Sequence, residues 1–213
     1  MNALSFIKQK KIVSIARKIS PDRIVEAATA INLGGIFCLE ITFNQSSNSC
    51  IADTAKSISE VKKSLGDKMC VGAGTVISVE QARAAFEAGA DFILAPDTNP
   101  AVISEAKKLG LICVPGAMTP TEIQNAWNLG ADIVKVFPAG YLGLDYIKAV
   151  RAPISNVPLM AVGGVDEKNI KDFLNSGYCS CGIGSNIMKE SLINEGKFEE
   201  LCLLAKKIVS AAC

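Results

Sequence analysis

The stretch Gly130-Ala-Asp-Ile-Val-Lys-Val-Phe-Pro138 joins the end of a helical segment to a short apolar run rich in β-branched residues. This unit recurs along the chain, and a glycine marks the end of each helical segment. Glycine suits that position because it adopts the left-handed backbone conformation without steric cost. The glycines are Gly34, Gly66, Gly89, Gly110, Gly130 and Gly177. One further helix is expected to end near Ala152-Pro153.

The beginnings of the helices are also marked. Ser20-Pro21 and Asn99-Pro100 each combine an N-cap residue with proline at the first helical position. Three other starts carry a capping box or a single cap residue. These are Thr119 with Glu122, Ser78 with Gln81, and Asp166.

Eight apolar runs alternate with these helices and are typical of strands. They begin near Ile12, Phe37, Met69, Phe92, Leu111, Ile133, Leu159 and Cys179. Strict alternation of strands and helices predicts parallel strands with right-handed crossovers. Eight units in 213 residues fit a closed (β/α)₈ TIM barrel, with an open doubly wound sheet as the alternative. No linker divides residues 1–213, so we predict a single domain, with the helix before Ile12 covering the barrel floor.

Composition excludes several classes of function. Lys and Arg total 22 against 21 Asp and Glu, so bulk charge gives no basis for binding nucleic acid or a membrane surface. No apolar run approaches the roughly 20 residues of a membrane span. The chain has no histidine, which excludes Ser-His-Asp catalysis and histidine-ligated zinc. Acid–base chemistry must therefore come from carboxylates, Lys, Tyr, Cys or water.

The eight cysteines do not have the arrangement of a disulfide framework. There is no Cys-x-x-Cys motif, and the first eleven residues lack the apolar stretch of a signal peptide. We therefore expect a reduced, cytoplasmic protein. Five of the cysteines lie in strand-like runs, where a thiol acts as a small apolar group: Cys38, Cys70, Cys113, Cys179 and Cys181.

Two charged residues are predicted to point into the barrel. Alternation along the sixth predicted strand puts Lys135 on the inward face with Ile133 and Phe137. Desolvation there would lower the pKa of the amine and make it a nucleophile for a ketone. The alternatives are a lysine that extends to solvent or one that pairs with a carboxylate for structure.

The second predicted strand turns Glu40 inward together with Cys38 and Thr42. A buried carboxylate is costly unless it is paired or used. Glu40 would share the barrel interior with Lys135, either as a general base or as a structural ion-pair partner. The spacing of the residues leaves both readings open.

Two glycine-containing loops indicate a phosphate site. Gly163-Gly164 follows the seventh predicted strand, and Gly184-Ser185 follows the eighth. Phosphate sites in such barrels commonly use these two loops, where glycine lets backbone N–H groups approach the anion. Tight turns are the alternative explanation for each glycine pair. The third strand ends in Val71-Gly-Ala-Gly-Thr75, which offers room for a ligand and a hydroxyl donor.

Six motifs occur in order along nearly the whole chain, and the chain resembles the 2-keto-3-deoxy-6-phosphogluconate/4-hydroxy-2-oxoglutarate aldolase family. They are Leu-Glu-Ile-Thr-Phe (39–43), Val-Gly-Ala-Gly-Thr (71–75), Pro-Gly-Ala-Met-Thr-Pro-Thr-Glu (115–122), Lys-Val-Phe-Pro (135–138), Ala-Val-Gly-Gly-Val (161–165) and Gly-Ile-Gly-Ser (182–185). The resemblance implies a class I aldolase that cleaves 2-keto-3-deoxy-6-phosphogluconate to pyruvate and glyceraldehyde 3-phosphate. It also implies cleavage of 4-hydroxy-2-oxoglutarate to pyruvate and glyoxylate, a homotrimer, and no metal or other cofactor.

The resemblance assigns roles to individual residues. Lys135 matches the lysine that forms the pyruvate Schiff base, and Glu40 matches the glutamate that shuttles protons. Thr75 matches the threonine near the pyruvyl carboxylate. We also expect substrate contacts from Thr42, Pro96 and Phe137, although the position of Pro96 after the fourth strand by itself favours a loop-shaping residue. The residues that match the phosphate loops are Gly163, Gly164, Gly184 and Ser185.

Two positions depart from the pattern of the family. Asn44 stands where many members have an arginine that binds the pyruvyl carboxylate, and Val162 stands where many have threonine. Both features resemble the related 2-dehydro-3-deoxy-6-phosphogalactonate aldolases, which gives an alternative substrate. A phospho-ligand binder without catalysis is a further alternative, although such a protein has no reason to bury both Lys135 and Glu40.

An arginine on the first strand could supply the missing charge. Val13, Ile15 and Arg17 share one face of that strand, which we take as the inward face because bulky branched residues dominate barrel interiors. Arg17 would then reach the rim, as an arginine does in some relatives. We predict that Arg17 pairs with the carboxylate while Asn44 and Thr75 orient it. The alternative is that Arg17 only ties down the loop before Ser20.

Overall fold

Strands and helices alternate as the sequence predicts. The computed structural model describes residues 2–213, and Met1 of the predicted domain lies outside that range. The strands are β1 (Ile12–Ala16), β2 (Cys38–Thr42), β3 (Cys70–Gly74), β4 (Phe92–Leu94), β5 (Ile112–Val114), β6 (Gly116–Ala117), β7 (Val134–Val136), β8 (Leu159–Val162) and β9 (Ser180–Ile183). Each of the eight predicted strand starts lies within one residue of an observed one.

Ten helices separate or flank these strands. They are α1 (Ala3–Lys10), α2 (Pro21–Leu33), α3 (Cys50–Leu65), α4 (Val79–Glu87), α5 (Pro100–Lys108), α6 (Pro120–Asn128), α7 (Ala139–Arg151), α8 (Ile170–Asn175), α9 (Glu190–Asn194) and α10 (Phe198–Ala211). Across residues 2–213, none of these helices combines the length and apolar character needed to cross a membrane.

All nine strands belong to one parallel sheet, in the order β5-β4-β3-β2-β1-β9-β8-β7-β6. The two strands at the ends of this order, β5 and β6, are consecutive in the chain and separated only by Pro115. Proline has no N–H to donate, which interrupts the ladder at that residue. Because β5 pairs with β4 and β6 pairs with β7, this one segment closes the sheet into a barrel with eight strand positions. The barrel prediction is confirmed.

Two apolar clusters lie on the two sides of the barrel wall. The interior cluster contains Val13, Ile15 and Ile133, and the cluster between strands and helices contains Val134 and Val136. The predicted inward and outward faces of the strands are therefore confirmed. Ile7 of α1 is fully buried in the interior cluster, so α1 covers the barrel floor as predicted.

Four of the six predicted helix-terminal glycines have positive φ, from +74° at Gly110 to +110° at Gly177. The other two, Gly34 and Gly66, end their helices in right-handed conformations. After α2 the left-handed residue is Gly35, with φ +92°. The sequence pattern therefore places the left-handed glycine of this turn one residue too early, because either of the two adjacent glycines could adopt that conformation.

The predicted helix starts differ in how they are capped. Thr119 forms a complete capping box, and the proline-containing starts of α2 and α5 are as predicted. Asp166 does not begin a helix directly: its carboxylate accepts from the Lys168 N–H at 2.8 Å in a turn, and α8 starts only at Ile170. At Ser78 the hydroxyl accepts from the Gln81 N–H, but the Gln81 side chain accepts from the Ile77 N–H instead of closing the box.

Two equivalent sets of bonds, here called braces, lie on the floor side of the barrel, and each is centred on one aspartate. Asp91 precedes β4, accepts from the Val71 N–H at 2.8 Å and pairs with Lys62 at 2.9 Å. Asp132 precedes β7 and makes the equivalent bonds to the Cys113 N–H and to Lys107, each at 2.8 Å. Each aspartate follows a Gly-Ala pair in the sequence. Both braces join the start of one strand to the helix and strand beside it.

Replacing Asp91 with Ala should lower the free energy of unfolding by about 1–3 kcal/mol. The change leaves the Val71 N–H without its acceptor at the start of a buried strand. Denaturant unfolding followed by circular dichroism measures the difference. Asp145→Ala is the matched control, since that exposed carboxylate pairs only with Lys148 and its loss should have almost no effect. Equal stability of the two variants would contradict the brace.

Candidate active site

Lys135 lies in the middle of β7 and points into the barrel, with 7 % of its surface exposed. Its ammonium lies 4.9 Å from the centre of the Phe137 ring, on the same face of the strand. Burial lowers the pKa of Lys135 below its ordinary value of 10.5. Glu40 opposes that shift, whereas the positive charge of Arg17 adds to it. The environment therefore favours the neutral, nucleophilic amine.

Glu40 lies in β2 and is 2 % exposed. Burial raises the pKa of its carboxyl, while Lys135 and Arg17 act in the opposite direction. Gly74 of the neighbouring strand makes room for this side chain, because a β-carbon at that position would collide with Glu40 Oε1. Glu40 Oε2 is enclosed and has no hydrogen-bond partner within residues 2–213. A buried acceptor in this state is suited to taking up a proton from a bound molecule.

The two groups do not form a contact ion pair. Of the ion pairs within 4.0 Å in the described part of the chain, none includes Lys135 or Glu40. A structural ion pair, in which the lysine and the carboxylate only neutralise each other, would require such a contact, and the structure does not contain it. Both groups remain available to a molecule bound between them.

The loops after β8 and β9 meet at a cavity of about 430 Å³. Gly163 and Gly164 have φ values of +87° and +78°, which leave the backbone open toward the cavity. Phe137 contributes to the wall and connects the cavity to Lys135. The structure thus brings together six of the predicted site residues: Arg17, Phe137, Gly163, Gly164, Gly184 and Ser185.

Three polar residues of this cavity were not identified from the sequence. Lys18 is a second cation beside Arg17, Asn186 follows Ser185, and Glu190 begins α9. Asn186 is fixed by donating its side-chain amide to the Val165 carbonyl at 2.9 Å. The feature of the sequence that could have identified Lys18 is its position next to a second cation, Arg17. Lys18 has φ +58°, a conformation that a sequence pattern does not reveal for a lysine.

Arg17 is exposed at the end of β1, and its guanidinium makes no hydrogen bond or ion pair with residues 2–213. It therefore does not tie down the loop before Ser20. Its charge lowers the pKa of both Glu40 and Lys135, and its side chain lines the same cavity as the glycine loops. A cation in this place can meet an anionic group of a molecule bound in the cavity.

The remaining candidates lie elsewhere around the barrel mouth. Thr42 is buried and donates to the Ala16 carbonyl at 3.1 Å. Asn44 lines a separate polar cavity of about 320 Å³ beside α2 and α3. Pro96 lines a third cavity, of about 380 Å³, which also contacts Phe137. Thr75 directly follows β3, with φ +56°. Asn44 and Arg17 thus do not share one cavity.

Other features of the surface contain no candidate residue. A groove of about 570 Å³ lies between α2 and α10 and is mostly apolar. Within residues 2–213, no three His, Cys, Asp or Glu side chains are grouped so that they could hold a metal ion. The buried amine of Lys135, the buried carboxyl of Glu40 and the glycine loops at the mouth of a parallel α/β barrel are the arrangement of a Schiff-base lyase.

Comparison with known proteins identifies the family. A family model described as KDPG and KHG aldolase matches residues 4–204. The 2-dehydro-3-deoxy-6-phosphogalactonate aldolase of Escherichia coli is 32% identical over 84% of this chain and 84% of its own length. The 2-dehydro-3-deoxy-phosphogluconate aldolase of Treponema pallidum is 30% identical over 94% of this chain and 93% of its own. A solved structure described as native KDPGal superposes with a TM-score of 0.84 at 31% identity, covering 94% and 93% of the two chains. The chain belongs to the KDPG and KHG aldolase family and is a carbon–carbon lyase.

The pKa of Lys135 should move in opposite directions when its two charged neighbours are removed. Glu40 raises this pKa, so Glu40→Gln should lower it, and neutral amine should form at a lower pH. Arg17 lowers it, so Arg17→Met should raise it and neutral amine should form only at a higher pH. Reductive methylation with formaldehyde and borohydride across a pH series, mapped to Lys135 by mass spectrometry, measures both shifts.

Arg23→Met is the matched control, because Arg23 is a half-buried arginine of α2 that pairs with Glu26. It should leave the Lys135 profile unchanged. Shifts of the same sign in the Glu40 and Arg17 variants would show that the two charges do not act on Lys135 as described.

Proposed function

We propose that this chain cleaves 2-keto-3-deoxy-6-phosphogluconate to pyruvate and glyceraldehyde 3-phosphate through a Schiff base on Lys135. The observation that carries the proposal is a buried lysine with a lowered pKa beside a buried glutamate that does not pair with it. A protein that only binds a phosphorylated ligand gains nothing from burying two such groups. The same site is proposed to accept 4-hydroxy-2-oxoglutarate, giving pyruvate and glyoxylate.

The covalent step follows from the state of the amine. Lys135 Nζ attacks the C2 ketone of the substrate, and loss of water from the carbinolamine gives an iminium. The positively charged iminium then accepts the electron pair of the C3–C4 bond as that bond breaks. The products are an enamine on Lys135 and the aldehyde.

Glu40 is proposed to move the protons. Its carboxylate accepts the proton of the C4 hydroxyl, directly or through one water, as the C3–C4 bond breaks. The same group returns a proton to C3 of the enamine, and water then hydrolyses the iminium to release pyruvate and the free lysine. Burial, which raises the pKa of Glu40, brings it toward the range in which it can both accept and donate.

The anionic ends of the substrate are proposed to bind at opposite sides of the rim. The phosphate enters the cavity formed by Gly163, Gly164, Gly184 and Ser185, where backbone N–H groups and a hydroxyl are donors. The pyruvyl carboxylate is proposed to bind where the loops after β2 and β3 carry Asn44 and Thr75, which orient it, while Arg17, which also lines the phosphate cavity, supplies the positive charge from the end of β1. Lys18 then balances the second negative charge of the phosphate, because Arg17 alone cannot serve both ends. Thr42, Pro96 and Phe137 are proposed to line the carbon chain of the substrate.

Incubation with pyruvate and borohydride should add one pyruvyl-derived mass to the protein, mapped by peptide mass spectrometry to Lys135. Lys135→Met should abolish both the adduct and the cleavage, because methionine has a similar shape without an amine. Glu40→Gln should still form the adduct, with turnover slower by roughly 10²–10⁴-fold. Full activity of Lys135→Met would overturn the proposed function.

A second candidate substrate is 2-dehydro-3-deoxy-6-phosphogalactonate, which differs in configuration at C4. Val162 and Asn44 support it, since both match the galactonate type. Val162 is 4 % exposed, belongs to the interior cluster and lines the phosphate cavity, so its side chain borders the substrate. The E. coli relative that is 32% identical bears the galactonate name.

Cleavage of the two C4 epimers side by side, with pyruvate release coupled to its enzymatic reduction, decides between these substrates. An apolar Val162 offers no hydrogen bond to a C4 hydroxyl. Val162→Thr adds one and should therefore raise kcat/KM for the gluconate-derived substrate relative to the other, by roughly tenfold for one hydrogen bond. An unchanged ratio of the two kcat/KM values would show that Val162 does not determine which epimer is preferred.

The compartment, domain organisation, oligomeric state and partners of the enzyme are also part of the proposal. All eight cysteines are free, which suits a reducing cytoplasm. One sheet includes every strand, which supports a single domain over residues 1–213. The family resemblance implies a homotrimer, which sedimentation equilibrium would test as a mass about three times the 22.4 kDa of one chain. The partners are then the phosphorylated sugar acid and pyruvate, with no nucleic acid, membrane or added cofactor.

A further inference from the structure

Thr75 has an unusual backbone conformation for its residue type. It directly follows β3 with φ +56°, in the left-handed region that β-branched residues rarely adopt. The other non-glycine residues with positive φ among residues 2–213, Lys11 and Lys18, are unbranched at Cβ. Such a conformation persists only where the surroundings hold it in place.

Two glutamines provide the contacts that hold it. Gln45, in the loop after β2, donates its side-chain amide to the Thr75 carbonyl at 2.9 Å. Gln81, in the first turn of α4, donates to Gln45 Oε1 at 3.0 Å and accepts from the Ile77 N–H at 2.8 Å. Gln81 is 6 % exposed and its two bonds are partly buried, whereas the bond from Gln45 to Thr75 lies at the surface. The chain of bonds, here called the glutamine relay, ties residues 75 and 77 to two other elements.

The relay leaves Thr75 with its acceptor occupied and its donors free. Its carbonyl accepts from Gln45, whereas neither its N–H nor its hydroxyl has a hydrogen-bond partner within residues 2–213. An N–H and an O–H on one residue are complementary to the two oxygens of a carboxylate. Gly74, the residue before Thr75, lies against Glu40, so Thr75 follows directly on the backbone that contacts the carboxyl proposed to move protons.

We propose that Gln45 and Gln81 are positioning residues for the pyruvyl carboxylate. The glutamine relay keeps Thr75 in its left-handed conformation, so that the N–H and hydroxyl are fixed before the ligand arrives. The proposal rests on the aldolase function proposed above. It adds two residues that do not touch the substrate but set the affinity for one end of it.

The test uses the pyruvate concentration that gives half-maximal trapping of Lys135 by borohydride. Gln45→Met removes the donor to Thr75 and should raise that concentration roughly tenfold, since a preformed pair of donors to a charged group is lost. Gln81→Met should act in the same direction. Because the two glutamines act in series, the double variant should be no worse than the more affected single variant. Gln124→Met is the matched control: the side chain of this half-buried glutamine of α6 bonds only to Asn128, and trapping should be unchanged.

A second measurement separates positioning from a general loss of structure. The ratio of kcat/KM between a phosphorylated substrate and its non-phosphorylated analogue should stay at the wild-type value, because the phosphate loops lie after β8 and β9. Gln45 is exposed, so Gln45→Met keeps the test valid even if Gln81→Met unfolds.

Any of three results would overturn the glutamine relay. The first is pyruvate trapping at the wild-type concentration in Gln45→Met, and the second is additive losses in the double variant. The third is a change in the ratio of kcat/KM between the phosphorylated and non-phosphorylated substrates that matches the loss in trapping. Failure of the aldolase function is distinguishable: the unaltered protein would then form no pyruvate adduct at all, and the relay proposal would fall with it.

Discussion

The structure depends on burying one positive and one negative group inside the barrel without letting them touch. Either charge alone would be costly in an apolar interior, and a direct pair would be chemically inert. Here burial acts on both pKa values at once, lowering that of Lys135 and raising that of Glu40, while each charge moderates the other. The neighbouring strands are adapted to this arrangement. Gly74 leaves the space that Glu40 occupies, and Gly72 leaves the space for the Phe92 ring.

The barrel interior changes character from floor to mouth. Near the floor it is apolar, with Ile7 of α1 packed among strand side chains such as Val13 and Ile133. Glu40 and Lys135 lie in the next inward positions of their strands, and the glycine loops follow at the carboxyl ends. Alternation along parallel strands repeats this sequence of layers around the barrel. The apolar floor limits water below the amine, and the open mouth admits the substrate above it.

The sequence predicts the barrel and its inward face well, because both follow from backbone geometry. A strand turns alternate residues to opposite sides, so Lys135 and Glu40 could be placed inside once the strands were recognised. The loops lack such a period. No pattern could show that Arg17 and Lys18 line one cavity with the glycine loops after β8 and β9, while Asn44 lines another. The interruption at Pro115 was missed for a similar reason, since the apolar run continues on both sides of it.

The missed contacts share a physical cause, which is that they join residues far apart in sequence through short side chains. Gln45 and Gln81 are 36 residues apart and fit separate local patterns, a polar loop residue and a capping-box residue. Only the folded chain shows that the Gln81 side chain turns away from the helix cap to meet Gln45. This arrangement has an energetic explanation. The free N–H groups of a helix N-terminus at the surface can bond to water, whereas water cannot hold Thr75 in its strained conformation. The local capping rule is therefore broken at Gln81, the residue that reaches the strained Thr75 through Gln45.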